Sequence, residues 1–277
     1  DCKKNLKNFR ETMGRKLDLV TVVVPTYNRS DKIGNTIESV ENNGYKNIEI
    51  IIVDDCSKDN TKDVVYGFIE KYKNIKYFKT KTNSGPAAAR NIGIKNSKGK
   101  FIFFTDDDCV LSDGLIEKYI DFLNKNKSVA GVGGLLIPGS NNLIAKLEIF
   151  KNRLLGLDVK HTAIGRNMAT GFTNNIIYRK KVLDEIGYFD ENFKAPGGED
   201  IELKQRIAKK YDMAVMPLEV YHKQDYDLNY LSGILYKQGL GKNPPKGAIK
   251  RMFGLTIRSP ILVYNISKKI VSYRKLK

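Results

Sequence analysis

Apolar runs and helical spacings alternate along the first half of the chain. Four mainly apolar runs, rich in β-branched or aromatic residues, predict strands: Leu19–Pro25, Ile48–Val53, Ile75–Phe78 and Phe101–Phe104. The first of them is continuous and is typical of a fully buried strand in a parallel sheet. Apolar residues at helical spacing follow these runs, in segments that begin near Ile33, Asp59, Pro86 and Leu115. Strands that alternate with helices predict βαβ units, and therefore an α/β fold with a mostly parallel, twisted sheet flanked by helices.

The second half of the chain shows a weaker pattern. We predict a kinked strand at Ala169–Tyr178, a loop at Pro196–Asp200 that opens a helix, and short strands at Met213–Met216 and Val220–Tyr221. Polar residues 1–18 precede the alternating pattern, and basic residues 227–277 follow it. The chain is therefore predicted to contain one α/β domain, residues 19–226, between a polar N-terminal extension and a basic helical C-terminal extension.

Three clusters of polar residues directly follow predicted strands: Tyr27-Asn28-Arg29, Asp54-Asp55 and Asp106-Asp107-Asp108. Because ligands of parallel sheets bind at the carboxyl ends of the strands, we expect these clusters to face one crevice. Adjacent carboxylates repel one another unless a cation is present, and Mg²⁺ or Mn²⁺ takes one or two carboxylates together with phosphate oxygens. The triple-aspartate cluster therefore favours a metal site, with a solvated acidic turn as the alternative.

Other polar residues allow two interpretations. Asp55 either accepts hydrogen bonds from a nucleotide base or ribose, or forms a capping turn. Asp200 lies where a helix begins, so it is either a general base or part of a helix cap, and capping is the commoner role. Of the two histidines, His222 at a strand end is a better candidate for a metal ligand than His161. The chain contains no G-x-G-x-x-G or P-loop motif, so neither of those nucleotide sites is supported.

Composition places the chain among globular proteins, since 41% of its 277 residues are hydrophobic and 29% are charged. The 48 Lys and Arg exceed the 31 Asp and Glu, which gives a net charge of +17, and 11 of the basic residues follow Asp227. Such a surface attracts polyanions. The sequence shows no signal peptide or membrane-spanning run, and three scattered cysteines predict a reducing compartment. We expect a cytoplasmic protein whose basic extension either binds an anionic membrane surface or packs on the domain.

Several short motifs occur in a characteristic order along the chain. The first half contains Val22–Arg29, Ile51–Ser57, Asn83–Asn91 and Phe103–Asp108, and the second half contains Thr170–Asn175 followed by Tyr178–Lys180, then Ile186–Glu191 and Gly197–Asp200. Together they resemble the motifs of family 2 of the inverting nucleotide-sugar glycosyltransferases, which have the GT-A fold. The resemblance covers Leu19–Lys223. It implies a nucleotide-sugar-binding half at 19–127 and an acceptor-binding half at 128–226.

The resemblance also implies roles for individual residues. It implies a nucleotide-sugar site formed by Pro25, Tyr27, Asp55, Arg90, Asp106, Asp107 and Glu199. It implies that Mn²⁺ or Mg²⁺ binds at Asp106, Asp108 and His222, where Asp106 and Asp108 are the outer members of a D-x-D motif. Asp55 matches the aspartate that bonds the base, typically uracil, and Asp200 matches the catalytic base. A UDP-sugar is therefore the favoured donor, with a glycan or lipid-linked acceptor.

Two other classes of protein fit the sequence less well. A sugar nucleotidyltransferase carries a glycine-rich loop after its first strand, where this chain has Pro25–Arg29. A nucleic-acid-binding protein would account for the net charge, but its phosphate partner would be repelled by the acidic strand ends, so no nucleic acid is expected as a partner. Processive synthases of the family carry a Q-x-x-R-W motif, and this chain has no Trp. Transfer of one sugar per encounter is therefore expected.

Overall fold

The computed structural model describes residues 17–154, 159–166, 172–193 and 197–227. These residues form nine strands: β1 Val20–Thr26, β2 Ile48–Asp54, β3 Ile75–Lys79, β4 Phe101–Phe104, β5 Cys109–Leu111, β6 Val129–Pro138, β7 Ala163–Gly165, β8 Ile176–Arg179 and β9 Asp212–His222. They also form seven helices: α1 Ile33–Glu41, α2 Thr61–Lys71, α3 Pro86–Lys95, α4 Leu115–Lys125, α5 Leu143–Leu154, α6 Lys180–Ile186 and α7 Glu199–Ala208.

All nine described strands belong to one sheet, in the order β3-β2-β1-β4-β8-β6-β9-β5, with β7 also paired to β9. The first four strands of this order are parallel. Because Val20 pairs with Ile48 and Thr26 pairs with Asp54, β1 and β2 end together at one edge. Beyond β4 the sheet is mixed, since β8 runs antiparallel to both of its neighbours. The predicted α/β class with a mostly parallel sheet is confirmed, and most of the antiparallel pairing falls in the second half of the chain.

Alternate residues of the buried strands pack on opposite faces of the sheet. Val20, Val22 and Val24 of β1 belong to a core cluster that includes residues of α1, α2 and α4. Val23 belongs to a second cluster, which includes residues of α3, α6 and α7. Because helices cover both faces, β1, β2 and β4 are apolar at most positions, whereas β3 at the sheet edge carries Lys76 and Lys79.

Two predictions in the second half of the chain are wrong in their boundaries. Residues 172–175 form a turn in which the amide of Asn175 donates to the carbonyl of Phe172, so β8 begins only at Ile176. The two short strands predicted at Met213–Met216 and Val220–Tyr221 are parts of one strand, β9. The strand is continuous because β6 pairs with it in parallel from end to end, although the register shifts twice.

The sequence pattern does not indicate β6, because glycines interrupt the middle of the strand. A Cβ atom at Gly134 would lie 2.2 Å from the hydroxyl of Tyr119 and 2.3 Å from the carbonyl oxygen of Leu218. The missing side chain makes room for the buried amide of Asn175, which accepts from the Tyr119 hydroxyl at 2.8 Å and donates to Leu218 O at 3.0 Å. A glycine in this strand therefore permits a close approach between chain segments, at the cost of its strand propensity.

The ends of the chain lie outside the described residues. The predicted N-terminal extension falls almost entirely on residues 1–16, and the predicted basic helical extension falls on residues 228–277 apart from Asp227. The chain divides into two compact units, Asp1–Asp225 and Tyr226–Lys277. Within the described ranges, no helix is long and apolar enough to cross a membrane.

Candidate active site

The ends of β2, β1 and β4 lie side by side at one edge of the sheet, as the sequence predicts. The loop after β1 is held to the loop after β2, because the amide of Asn28 donates to Ser57 Oγ at 2.8 Å and Asn28 Oδ1 accepts from the amide of Lys58 at 2.8 Å. Asn28 has a φ of 53°, a left-handed conformation in which asparagine is enriched. Beside this junction Pro25 is half-buried, whereas Tyr27 is 40% exposed.

Asp55 is buried at this edge and holds the loop that leads into α3. Its Oδ1 accepts from the amide of Ser84 at 2.8 Å and from Thr80 Oγ1 at 2.9 Å, and its Oδ2 accepts from the amide of Gly85 at 2.7 Å. Since a carboxylate has about four lone-pair sites, one acceptor position on Oδ2 is left for a ligand. Sequence reasoning missed the loop-holding role, although free amides at a helix start indicate that an acceptor is needed.

The three adjacent aspartates point to different partners. Asp106 Oδ1 accepts from Arg90 Nη2 at 3.0 Å. Asp107 is buried, and its Oδ1 lies 3.6 Å from Arg29 Nε. Burial raises the pKa of Asp107 to about 7, with the neighbouring carboxylate charges acting in the same direction and Arg29 opposing them. The cluster is therefore not a single solvated turn, because each carboxylate has its own electrostatic environment.

Asp108 lies next to His222, with 3.2 Å between Asp108 Oδ1 and His222 Nε2. The contact arises from sheet pairing: Cys109 of β5 is opposite His222 of β9, and the amide of Lys223 donates to the carbonyl of Asp108 at 2.7 Å. Burial alone would raise the pKa of Asp108, but the hydrogen bond and charge of His222 hold it below its ordinary value. Two residues predicted as metal ligands are thus adjacent, although they are far apart in the sequence.

A divalent cation fits this pair by its chemistry. A carboxylate oxygen and an imidazole nitrogen together suit Mn²⁺, and a substrate's phosphate oxygens would complete the coordination. Asp106 is not part of the pair, because its carboxylate is turned to Arg90. In the described part of the chain, no three His, Cys, Asp or Glu side chains are grouped so that they could hold a metal ion.

Arg90 joins the acidic strand end to the start of α7. Arg90 is 4% exposed; Nη1 donates to Glu199 Oε1 at 2.8 Å, and Nη2 donates to Asp106 Oδ1 at 3.0 Å. Glu199 Oε2 accepts from the amide of Gly197 at 2.8 Å, so the glutamate is fixed at both oxygens. The sequence motifs indicated each of these residues separately, but nothing in them indicated the ion-pair bridge.

Asp200 follows Glu199 in the first turn of α7. Gly198, which immediately precedes this helix, has a φ of 97°. The aspartate is 8% exposed, and its Oδ1 accepts from the amide of Ile201 at 2.8 Å. Burial raises its pKa, the charge of Lys204 acts in the opposite direction, and the charge of Glu199 adds to the increase. A buried carboxylate with a raised pKa is a suitable proton acceptor when it is ionised.

Comparison with known proteins gives one family match. The sequence profile of Glycosyl transferase family 2 matches residues 21–187 of this chain, which is more than half of its length.

Two curated relatives are similar over part of their length. An "Uncharacterized glycosyltransferase" of Haemophilus influenzae is 38% identical over 113 residues, which are 41% of this chain and 45% of the relative. The Staphylococcus aureus protein "Poly(ribitol-phosphate) beta-N-acetylglucosaminyltransferase TarP" is 32% identical over 170 residues, which are 60% of this chain and 50% of the relative. The chain thus spans about half the length of these relatives.

A similar fold occurs among solved structures. S. aureus TarS 1-349 in complex with UDP-GlcNAc superposes with a TM-score of 0.59 and 24% identity, covering 73% of this chain and 57% of the other. At this identity the likeness is one of fold.

Proposed function

The chain belongs to glycosyl transferase family 2, and from that premise we propose that it is an inverting, metal-dependent glycosyltransferase. It moves one sugar from a nucleoside-diphosphate sugar, preferably a UDP-sugar, to an acceptor hydroxyl. The observation that carries this proposal is the Arg90 bridge, which brings the acidic strand end after β4 together with the carboxylates that open α7. In this proposal, the donor-side and acceptor-side residues belong to one site.

In the proposed reaction Asp200 acts as the general base. It takes the proton from the acceptor hydroxyl while that oxygen forms a bond to the anomeric carbon. The bond from the anomeric carbon to the diphosphate oxygen breaks, and its electron pair leaves with the nucleoside diphosphate. A single displacement with one base inverts the configuration at the anomeric carbon. Burial suits Asp200 to this task, because it makes the carboxylate more basic than one in water.

The donor-binding residues are proposed on the same edge of the sheet. Tyr27 presents an exposed ring for stacking on the base beside Pro25, and Asp55 Oδ2 retains an acceptor position for the base. Bound at Asp108 and His222, Mn²⁺ or Mg²⁺ would supply Lewis-acid stabilisation of the diphosphate leaving group. Arg90 and Glu199 hold the junction between this donor side and Asp200.

The donor and acceptor are proposed from the relatives. The UDP-GlcNAc bound to TarS and the N-acetylglucosaminyl group in the name of TarP make UDP-GlcNAc the first donor to test. The poly(ribitol-phosphate) in the name of TarP favours a cell-surface glycan as the acceptor. We place the reaction at the cytoplasmic face of the membrane, with the basic extension 227–277 as its membrane contact.

The proposal is tested by following nucleotide release from a panel of nucleotide sugars, with Mn²⁺, Mg²⁺ or excess chelator. We expect release of UDP, and its loss on chelation or in Asp108→Ala. Asp200→Asn keeps the side-chain shape without the basicity, and it should lower turnover by about 10²–10⁴-fold while UDP affinity is retained. Near-normal turnover of Asp200→Asn would refute the assignment of the base. Release of pyrophosphate in place of UDP would indicate a nucleotidyltransferase.

A further inference from the structure

Lys204 is a buried cation that the reaction described above does not use. It lies one helical turn after Asp200 on α7 and is 8% exposed. Its ammonium group lies 4.8 Å from the centre of the Phe172 ring. Burial lowers the pKa of Lys204, and the charge of Asp200 opposes that effect. A lysine is rarely placed so deep unless its charge has a function or a partner.

The other charged groups around Asp200 are already engaged. Arg90 donates to both Asp106 and Glu199, so its two terminal nitrogens serve other carboxylates. Glu199 adds negative charge beside Asp200, and the neutral phenol of Tyr178 on β8 faces it from the sheet. Among the residues that the structure describes, Lys204 is therefore the cation that lowers the pKa of Asp200 most, and the charge of Arg90 acts in the same direction more weakly.

We propose that Lys204 is a positioning residue that keeps the buried carboxylate of Asp200 ionised, and so ready to accept the acceptor's proton. The inference rests on the proposed function, because it assumes that Asp200 is the base. Two groups four residues apart on a helix lie on the same face, with the carboxylate on the N-terminal side, which is the favourable order. Without a nearby positive charge, burial beside Glu199 would favour the protonated aspartic acid, which cannot act as a base.

The charge of Lys204 should therefore shift the pH dependence of the reaction in a predictable direction. Burial raises the pKa of Asp200, and the ammonium of Lys204 limits that increase. Removing the ammonium raises the pKa further, so less of the base is ionised at a given pH. The rate then falls on the acidic side and recovers at higher pH, where Asp200 loses its proton again. A lysine with only a packing role would not produce this pattern.

The test measures UDP release from UDP-GlcNAc with water as the acceptor, over about pH 5–9, for the full chain and its variants. Lys204→Met keeps the length of the side chain and removes the charge. We expect its acidic limb to move to higher pH by about one to three pH units. Lys204→Arg keeps the charge and should stay close to the unmodified protein. Lys209→Met removes an equal charge from an exposed position just beyond the same helix, and its profile should not move.

Three outcomes separate this inference from the proposed function. If no nucleotide sugar releases its nucleotide, or if Asp200→Asn retains normal turnover, the proposed function is wrong. If Asp200→Asn is inactive while the Lys204→Met profile coincides with that of the unmodified protein, only the inference about Lys204 is wrong. An equal loss at every pH also overturns it, because that loss indicates packing alone. Lys204→Gln, a second neutral variant, gives the same comparison if the methionine variant does not fold.

Discussion

Replacing Arg90 by methionine tests the bridge that joins the two halves of the site. Methionine has a similar length and preserves apolar contact with Phe189, whose ring centre lies 5.7 Å from the guanidinium carbon. The substitution leaves Glu199 with one described hydrogen-bond donor, the amide of Gly197, at a position that is 3% exposed. The glutamate then becomes a buried charge without a balancing cation. We therefore expect a loss of stability before any effect on catalysis is considered.

The magnitude follows from the burial of the two partners of Arg90. The side chain of Asp106 is 31% exposed, so water screens much of the loss there, whereas that of Glu199 is only 4% exposed. Removing one partner of a buried ion pair costs about 3–5 kcal/mol. In a domain of this size, each kcal/mol lowers Tm by about 2–4 °C, so Arg90→Met should lower Tm by about 6–20 °C.

The assay is urea and thermal unfolding of Arg90→Met, Glu199→Gln and the double variant. Glutamine needs no balancing cation, so the double variant should be more stable than the sum of the single effects predicts, by about 1–3 kcal/mol. Lys180→Met is the control, because it breaks a pair with Asp184 whose side chains are 26% and 43% exposed, and it should cost less than about 1 kcal/mol. A loss below about 1 kcal/mol for Arg90→Met, or strict additivity in the double variant, would refute the reasoning.

Three further predictions concern other parts of the molecule. Asp55→Ala removes the acceptor of the Ser84 and Gly85 amides, so we expect the free energy of unfolding in urea to fall by about 2–4 kcal/mol. Calorimetry should also show weaker UDP binding, and unchanged stability would contradict the loop-holding role. Gly134→Ala forces Cβ against backbone and should lower the free energy of unfolding by about 3 kcal/mol or more. The control Gly67→Ala, with no atom within 4 Å of its Cβ, should be neutral or stabilising in the same unfolding assay. The full chain should cosediment with anionic liposomes in a salt-sensitive manner, and truncation after residue 247 should abolish this; equal recovery of both forms in the supernatant would leave the basic extension without a membrane role.

The sequence by itself predicted the part of the fold that is encoded locally. Mainly apolar runs identified β1, β2, β3 and β4, because strands that pack into a core are apolar at most positions. The same pattern placed Asp55 and Asp106 at strand ends on the same edge of the sheet, since parallel strands joined by helices end at one edge. The family could also be identified, because its motifs lie in these local segments.

Only the tertiary structure decided how the second half of the chain meets the first. The Arg90–Glu199 ion pair joins residues 109 positions apart, and Asp108 meets His222 only because β5 pairs with β9. The sequence pattern also does not indicate β6, since its glycines lower strand propensity and are explained only by what packs against them. Strand order and long-range ion pairs depend on which buried surfaces fit together and which charges must be balanced once water is excluded. A local pattern of residue types indicates neither the strand order nor the long-range ion pairs, because both arise only when distant segments are buried against each other.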